Sequence, residues 1–96
     1  MSNPDSIDAR FAAFDEAHPE VWALFVQFAV ELRERGNTRN SADAILHRIR
    51  WHYAVNEQRD EGFKINDHFS SRYARKLMET DARFKDFFET RRLRVA

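Results

Sequence analysis

The stretch Ser41-Ala42-Asp43-Ala44-Ile45-Leu46-His47-Arg48-Ile49-Arg50-Trp51-His52-Tyr53-Ala54-Val55 decides how the rest of the chain is arranged. At 100° per residue it reads as a helix with Ala42, Ile45, Leu46, Ile49 and Tyr53 on one broad face. Ala44, Trp51 and Val55 fall on a second, smaller face. A helix wetted on one side needs a single apolar stripe. Two stripes predict a central helix packed between its neighbours and running to about Asn56 or Glu57. Ser41 is its natural N-cap, with Asp43 in the first turn.

Toward the N-terminus, residues 1–5 read as a disordered tail and 6–96 as one helical domain. Ser6 or Asp5 can cap a short helix over 7–17, where Ile7, Phe11 and Phe14 form one stripe. His18-Pro19 interrupts it, because proline disfavours helix in the residue before it and suits the first position of the next. The second helix is predicted from Pro19 to about Arg35, with Val21, Leu24, Phe25, Phe28 and Leu32 inward. Glu20, Gln27, Glu31 and Glu34 line the opposite arc, and Gly36-Asn37 is the stop.

Toward the C-terminus, residues 58–62 form a charged loop, and Gly62-Phe63-Lys64-Ile65 alternates like a short strand. Asn66 can cap a helix over about Asp67–Glu79 that buries Phe69, Tyr73 and Leu77. Asp81 can cap a last helix over Ala82–Phe88, held by Phe84, Phe87 and Phe88. Arg91–Val95 alternates again, as a strand pairing with 63–65 or as a basic tail. The expected fold is mainly α: a compact bundle of about five helices around a buried central helix, with room for a short two-stranded ribbon, resembling a helix-turn-helix or winged-helix arrangement.

Composition narrows the chemistry. Nine Phe, two Trp and two Tyr in 96 residues supply a large apolar load, and two Gly and two Pro disfavour disorder and turn-rich β folds. Cysteine is absent, which removes disulfides, thiolate metal sites and a thiol nucleophile and suits a reducing cytoplasm. No secretory signal is visible, and the longest apolar stretch, Val21 to Val30, is about half of what a membrane span needs. The net charge is zero, but residues 1–36 carry seven acids against three Lys/Arg, a balance of −4, and residues 37–96 carry nine against thirteen, a balance of +4. The basic portion either attracts a polyanion or docks on the acidic portion of the same chain.

Metal and enzyme chemistry find little support. His18, His47, His52 and His68 include no i, i+4 pair, and His47 and His52 diverge by about 140° on their helix. No glycine-rich phosphate loop and no evident acid–base pair occur. No catalytic residue, metal ligand or cofactor is therefore expected.

The arginines carry the positive signal. Arg72, Arg75 and Lys76 follow a polar cap on a helix that succeeds a long helix and a loop, as in a recognition helix. Ser71, Arg72 and Arg75 could reach base edges, while Arg48, Arg50, Arg91, Arg92 and Arg94 could grip phosphates. Against this, the connection from Val55 to Asp67 exceeds the short turn of the motif, and Glu79 dilutes the basic stripe. A solvated face knitted by internal salt bridges accounts for the same residues.

The pattern Phe11-x-x-Phe14, His18-Pro19-x-Val21, Ala44-Ile45-Leu46-x-x-Ile49-Arg50-Trp51, Gly62-Phe63-Lys64-Ile65-Asn66, Tyr73-Ala74-Arg75 and Phe87-Phe88-x-x-Arg91-Arg92-Leu93-Arg94 resembles a group of small uncharacterised proteins of bacteriophages, prophages and bacteria, over residues 10–94. Its relatives often carry Asn in place of His18 and Asn-Asn in place of Asp67-His68. The resemblance implies a phage or bacterial cytoplasmic setting and transfers no functional residue.

Two functional readings follow. One is a small non-enzymatic phage-type protein that binds double-stranded DNA or assists DNA metabolism through its C-terminal half. The other is a protein-interaction module, such as a phage-encoded inhibitor of a host defence or nucleic-acid-processing complex, using an acidic patch around Glu20, Glu31 and Glu34. Either could be a homodimer, since an exposed Trp22 or Trp51 would anchor an interface.

Overall fold

The three local signals around Ser6, Pro19 and Ser41 set the first half of the fold. In the computed structural model, residues 6–37, 40–57, 65–66 and 68–88 are described, the side chains of 56 and 57 excepted. Ser6 caps α1 (Ile7–Ala17), its side chain accepting from the Ala9 amide at 3.1 Å. Pro19 opens α2 (Pro19–Glu34) directly after the His18 break. Gly36, at φ +84°, ends it: its amide reaches the Arg33 carbonyl (3.0 Å) and the Asn37 amide reaches Leu32 (3.1 Å). That pair satisfies carbonyls that the helix end leaves open. Ser41 caps α3 (Ala42–His52) through the Ala44 amide.

Past His52 the chain leaves α geometry and makes a π-turn, Tyr53–Glu57, where a continued helix was expected. His52, Tyr53, Val55 and Asn56 all have weak helical preference, so little holds the last turn at α pitch. The expected cap at Asn66 is corrected: Asn66 accepts from the His68 amide at 2.9 Å in the turn ahead of the helix, and α4 (Phe69–Thr80) starts two residues later than expected, with His68 at its N-cap. Asp81 caps as expected, at the Arg83 amide (3.0 Å), but the predicted helix over 82–88 is corrected to one 3-10 turn, Ala82–Phe84. The chain then turns through Asp86 at φ 59°. Phe87 and Phe88 pair with the α2–α3 linker instead: the Asn40 amide donates to the Phe87 carbonyl at 3.0 Å and a parallel bridge joins Asn40 to Phe88. A seven-residue helix is marginal, and the opened backbone still buries all three phenylalanines.

The fold is mainly helical, with four α-helices rather than five and no named strand among the described residues. The ribbon expected of 63–65 and 91–95 lies outside the described residues except for Ile65, which is buried. The tail at 1–5 lies outside them too. No helix among the described residues is long and apolar enough to cross a membrane.

The core forms where α3 meets α2 and α4. Ile45, Leu46, Ile49 and Tyr53 meet Val21, Phe25, Phe28 and Ala29 of α2 and Phe69, Tyr73 and Leu77 of α4. Tyr73 is the largest fully buried side chain, stacked on Phe25 (5.3 Å) and edge-on to Phe11 (4.7 Å). Helix α1 has no fully buried residue; Phe11 and Phe14 lay their rings on Phe69.

The expected packing of α3 on both sides is corrected. Its Ile45–Ile49 flank is buried, but the second face is open: Trp51 is 65% and Val55 51% exposed, and Ala44 is exposed as well. Both neighbours of α3, α2 and α4, lie against the inner stripe, and no described element covers the outer one.

Two substitutions test this account. A Cβ at Gly36 would meet nothing within 4 Å, so the cost of Gly36→Ala is purely conformational; chemical denaturation should show a loss of about 1 kcal/mol. The buried Tyr73 hydroxyl has no hydrogen-bond partner among the described residues. Burial first, then the charges of Asp15, Glu20 and Tyr53, push its pKa well above the ordinary 10.0. The unfolded chain thus releases this proton at lower pH than the folded one. The resulting stability is fully present below pH 10 and is lost as pH rises from there toward the folded value. Tyr73→Phe should be more stable by roughly 1 kcal/mol at neutral pH, having no unsatisfied hydroxyl, and should lose this alkaline dependence in denaturation curves recorded against pH.

Candidate interaction surfaces

Helix α4 carries the candidate recognition residues on its outer arc, and α1 lies across part of that arc. Arg72 donates from Nε to Asp8 at 3.0 Å and from a terminal nitrogen to the Ser71 hydroxyl at 3.0 Å. The Ser71 hydroxyl donates in turn to the His68 carbonyl at 3.4 Å, within its own helix. Lys76 places Nζ 2.5 Å from Asp15 and 4.3 Å above the Trp22 ring. Both cations therefore act as ties between α4 and α1. Arg75 stays exposed, with no ion pair among the described residues.

Helix α3 treats its arginines in the same way. Arg48 pairs with Glu31 of α2 at 3.0 Å and lies 4.0 Å over the Phe28 ring. Arg50, half-buried, donates to the Ile65 carbonyl and so pins the segment before α4. Arg91, Arg92 and Arg94 lie outside the described residues. Arg48 and Arg50, expected to grip phosphate, and Arg72 and Lys76, expected on a recognition helix, are each engaged by a carboxylate or a carbonyl within the fold. A guanidinium already neutralised by a carboxylate releases few counterions from DNA.

The acidic patch is engaged in part. Glu31 is bound to Arg48, and Glu20 lies 3.1 Å from Nδ1 of His18. Glu34 remains exposed. Away from these pairs, Asp81 chelates Arg83 (2.7 Å from its Oδ2), and hydrogen bonding by Arg83 holds the Asp81 carboxyl below its ordinary range. Ser70 donates to Asp43 between α4 and α3. Among the described residues no three His, Asp or Glu side chains gather in a way that would hold a metal ion.

The outer stripe of α3 has the opposite character. Ala44, Arg48, Trp51 and Val55 are all exposed and fall at i, i+4, i+7 and i+11. Trp51 and Val55 are the large hydrophobics left in water among the described residues. Sequence reasoning saw this stripe but assigned it to the core, because periodicity distinguishes a face from its surroundings and not a covered face from an open one. No family model, curated protein or solved structure matches the chain.

If the cations are structural, their truncation should cost stability according to how far the carboxylate each one meets is withdrawn from water, which is more for Asp15 than for Asp8. Lys76→Ala should lose about 1 kcal/mol in urea denaturation, since it removes a partly buried pair and a cation–π contact. Arg72→Ala, facing the exposed Asp8, should lose about half of that or less. A double-mutant cycle over Lys76 and Asp15 should show coupling that fades with added salt.

Proposed function

We propose that this chain is a non-enzymatic protein-interaction module that engages another polypeptide through the outer stripe of α3. The exposure of Trp51 beside Val55 carries this reading. Tryptophan is the residue most enriched where interfaces concentrate their binding energy, and leaving two large apolar side chains together in water has no benefit to the isolated fold. The π-turn at the end of the same stripe adds support, since such turns are frequent at functional sites. A small inhibitor or accessory subunit of phage type, directed at a host complex, is the biological role that suits such a module.

The competing reading, a helix-turn-helix-like duplex-DNA binder, keeps Arg75 as its exposed unpaired cation on α4, together with whatever Arg91, Arg92 and Arg94 contribute. Its other four cations are committed to Glu31, the Ile65 carbonyl, Asp8 and Asp15.

The two readings separate in one pair of experiments. At micromolar protein and low salt, duplex DNA should not be retarded in a gel. In nuclease-treated affinity capture, a stoichiometric protein partner should be lost with Trp51→Asp and retained with Arg75→Ala. Salt-sensitive retardation of DNA that Arg75→Ala weakens would overturn the proposal in favour of the nucleic-acid reading.

A further inference from the structure

We infer that the polypeptide seated on the outer stripe of α3 is a second copy of this chain, docked antiparallel about a two-fold axis between Ile49 and Arg50; this rests on the docking reading above. Three observations select this occupant. The first is spacing. Ala44, Arg48, Trp51 and Val55 are separated by four, three and four residues, the alternation of a coiled-coil seam. The sequence of gaps is the same read from either end, so the stripe is complementary to its own reverse. An isologous pair then sets Ala44 against the partner's Val55 and Arg48 against the partner's Trp51, each contact occurring twice.

The second observation is the chemistry of these pairs. A small side chain meets a branched one, so two helices can approach closely. A guanidinium meets an indole, the best cation–π acceptor among side chains. One face of the Arg48 guanidinium already lies on Phe28, and its charge is balanced by Glu31 at 3.0 Å. The Arg48 side chain is still 51% exposed and so can receive the partner's Trp51, and two copies bring no uncompensated like charges together along the stripe. The zero net charge of the chain likewise opposes no self-association.

The third observation is the π-turn. Its i→i+5 bonding takes more residues per revolution than an α-turn. Val55 therefore falls closer to the line of Trp51 than a continued α-helix would place it, and the seam stays straight through its last contact. A helix pair of this length covers roughly 1,000 Å² in total, at the lower bound of specific interfaces, so the pair should form a reversible dimer.

Sedimentation velocity over micromolar concentrations tests this with the full chain. The expected result is a reversible monomer–dimer equilibrium that Trp51→Asp and Ala44→Glu each shift to monomer. Both positions are exposed, so the circular dichroism should be unchanged. Because the chain has no native cysteine, register can be read by cross-linking. Ala44→Cys combined with Val55→Cys should give a covalent dimer on mild oxidation, and either alone should not. The two positions lie roughly 16 Å apart within one chain, beyond the reach of an internal disulfide. Equal cross-linking by a single variant overturns the antiparallel register, and a dimer that persists in both charged variants overturns the inference. A monomer whose Trp51 emission, taken as the difference from Trp51→Phe, is freely quenched by acrylamide overturns self-association and leaves the face open to another protein. A monomer whose Trp51 is shielded from quencher overturns the docking reading as well.

Discussion

The structure depends on one wedge: the inner flank of α3, where Ile45, Leu46, Ile49 and Tyr53 fill the space between α2 and α4. These four are almost completely withdrawn from water. The large buried aromatics belong to the same core cluster as this wedge. Phe25 and Tyr73 stack behind it, Phe88 closes on Phe25 at 5.6 Å, and Phe84 and Phe87 follow edge to face. Helix α1 depends on this assembly without contributing a fully buried residue, so it has the fewest buried contacts to lose and is the element expected to open first.

Electrostatics completes what the apolar core begins. The acidic first third and the basic remainder meet as discrete pairs, Asp8 with Arg72, Asp15 with Lys76 and Glu31 with Arg48. Such exposed or half-exposed pairs contribute little each. Their larger effect here is orientation, because two of them set how α1 lies on α4. Arg48, Arg72 and Lys76 are held by carboxylates in this way, while Trp51 of α3 and Val55 of the π-turn stand in water.

Much of this was legible in the chain itself. Ser6, Ser41 and Asp81 cap where their side chains and positions indicate. Pro19 and Gly36 begin and end α2 as proline and glycine must, and the 3.6-residue period of Val21, Phe25 and Phe28 placed the core face of that helix. These are local matters: a cap, a fixed φ or a periodic stripe is decided within a few residues.

What the sequence by itself determined, then, was the four α-helices of the described residues, the limits of α1 and α2, the start of α3 and the apolar flank that α3 turns inward. The tertiary structure alone decided the rest, because the deciding partners are distant in the chain. Whether the Trp51 stripe is covered depends on how many neighbours reach α3, and both lie on its other side. Whether Arg72 and Lys76 are free depends on Asp8 and Asp15, which are 64 and 61 residues away. What the end of 82–88 meets is decided by Asn40, more than forty residues away, whose amide donates to the Phe87 carbonyl. Periodicity encodes which residues share a face; only packing fixes what that face meets.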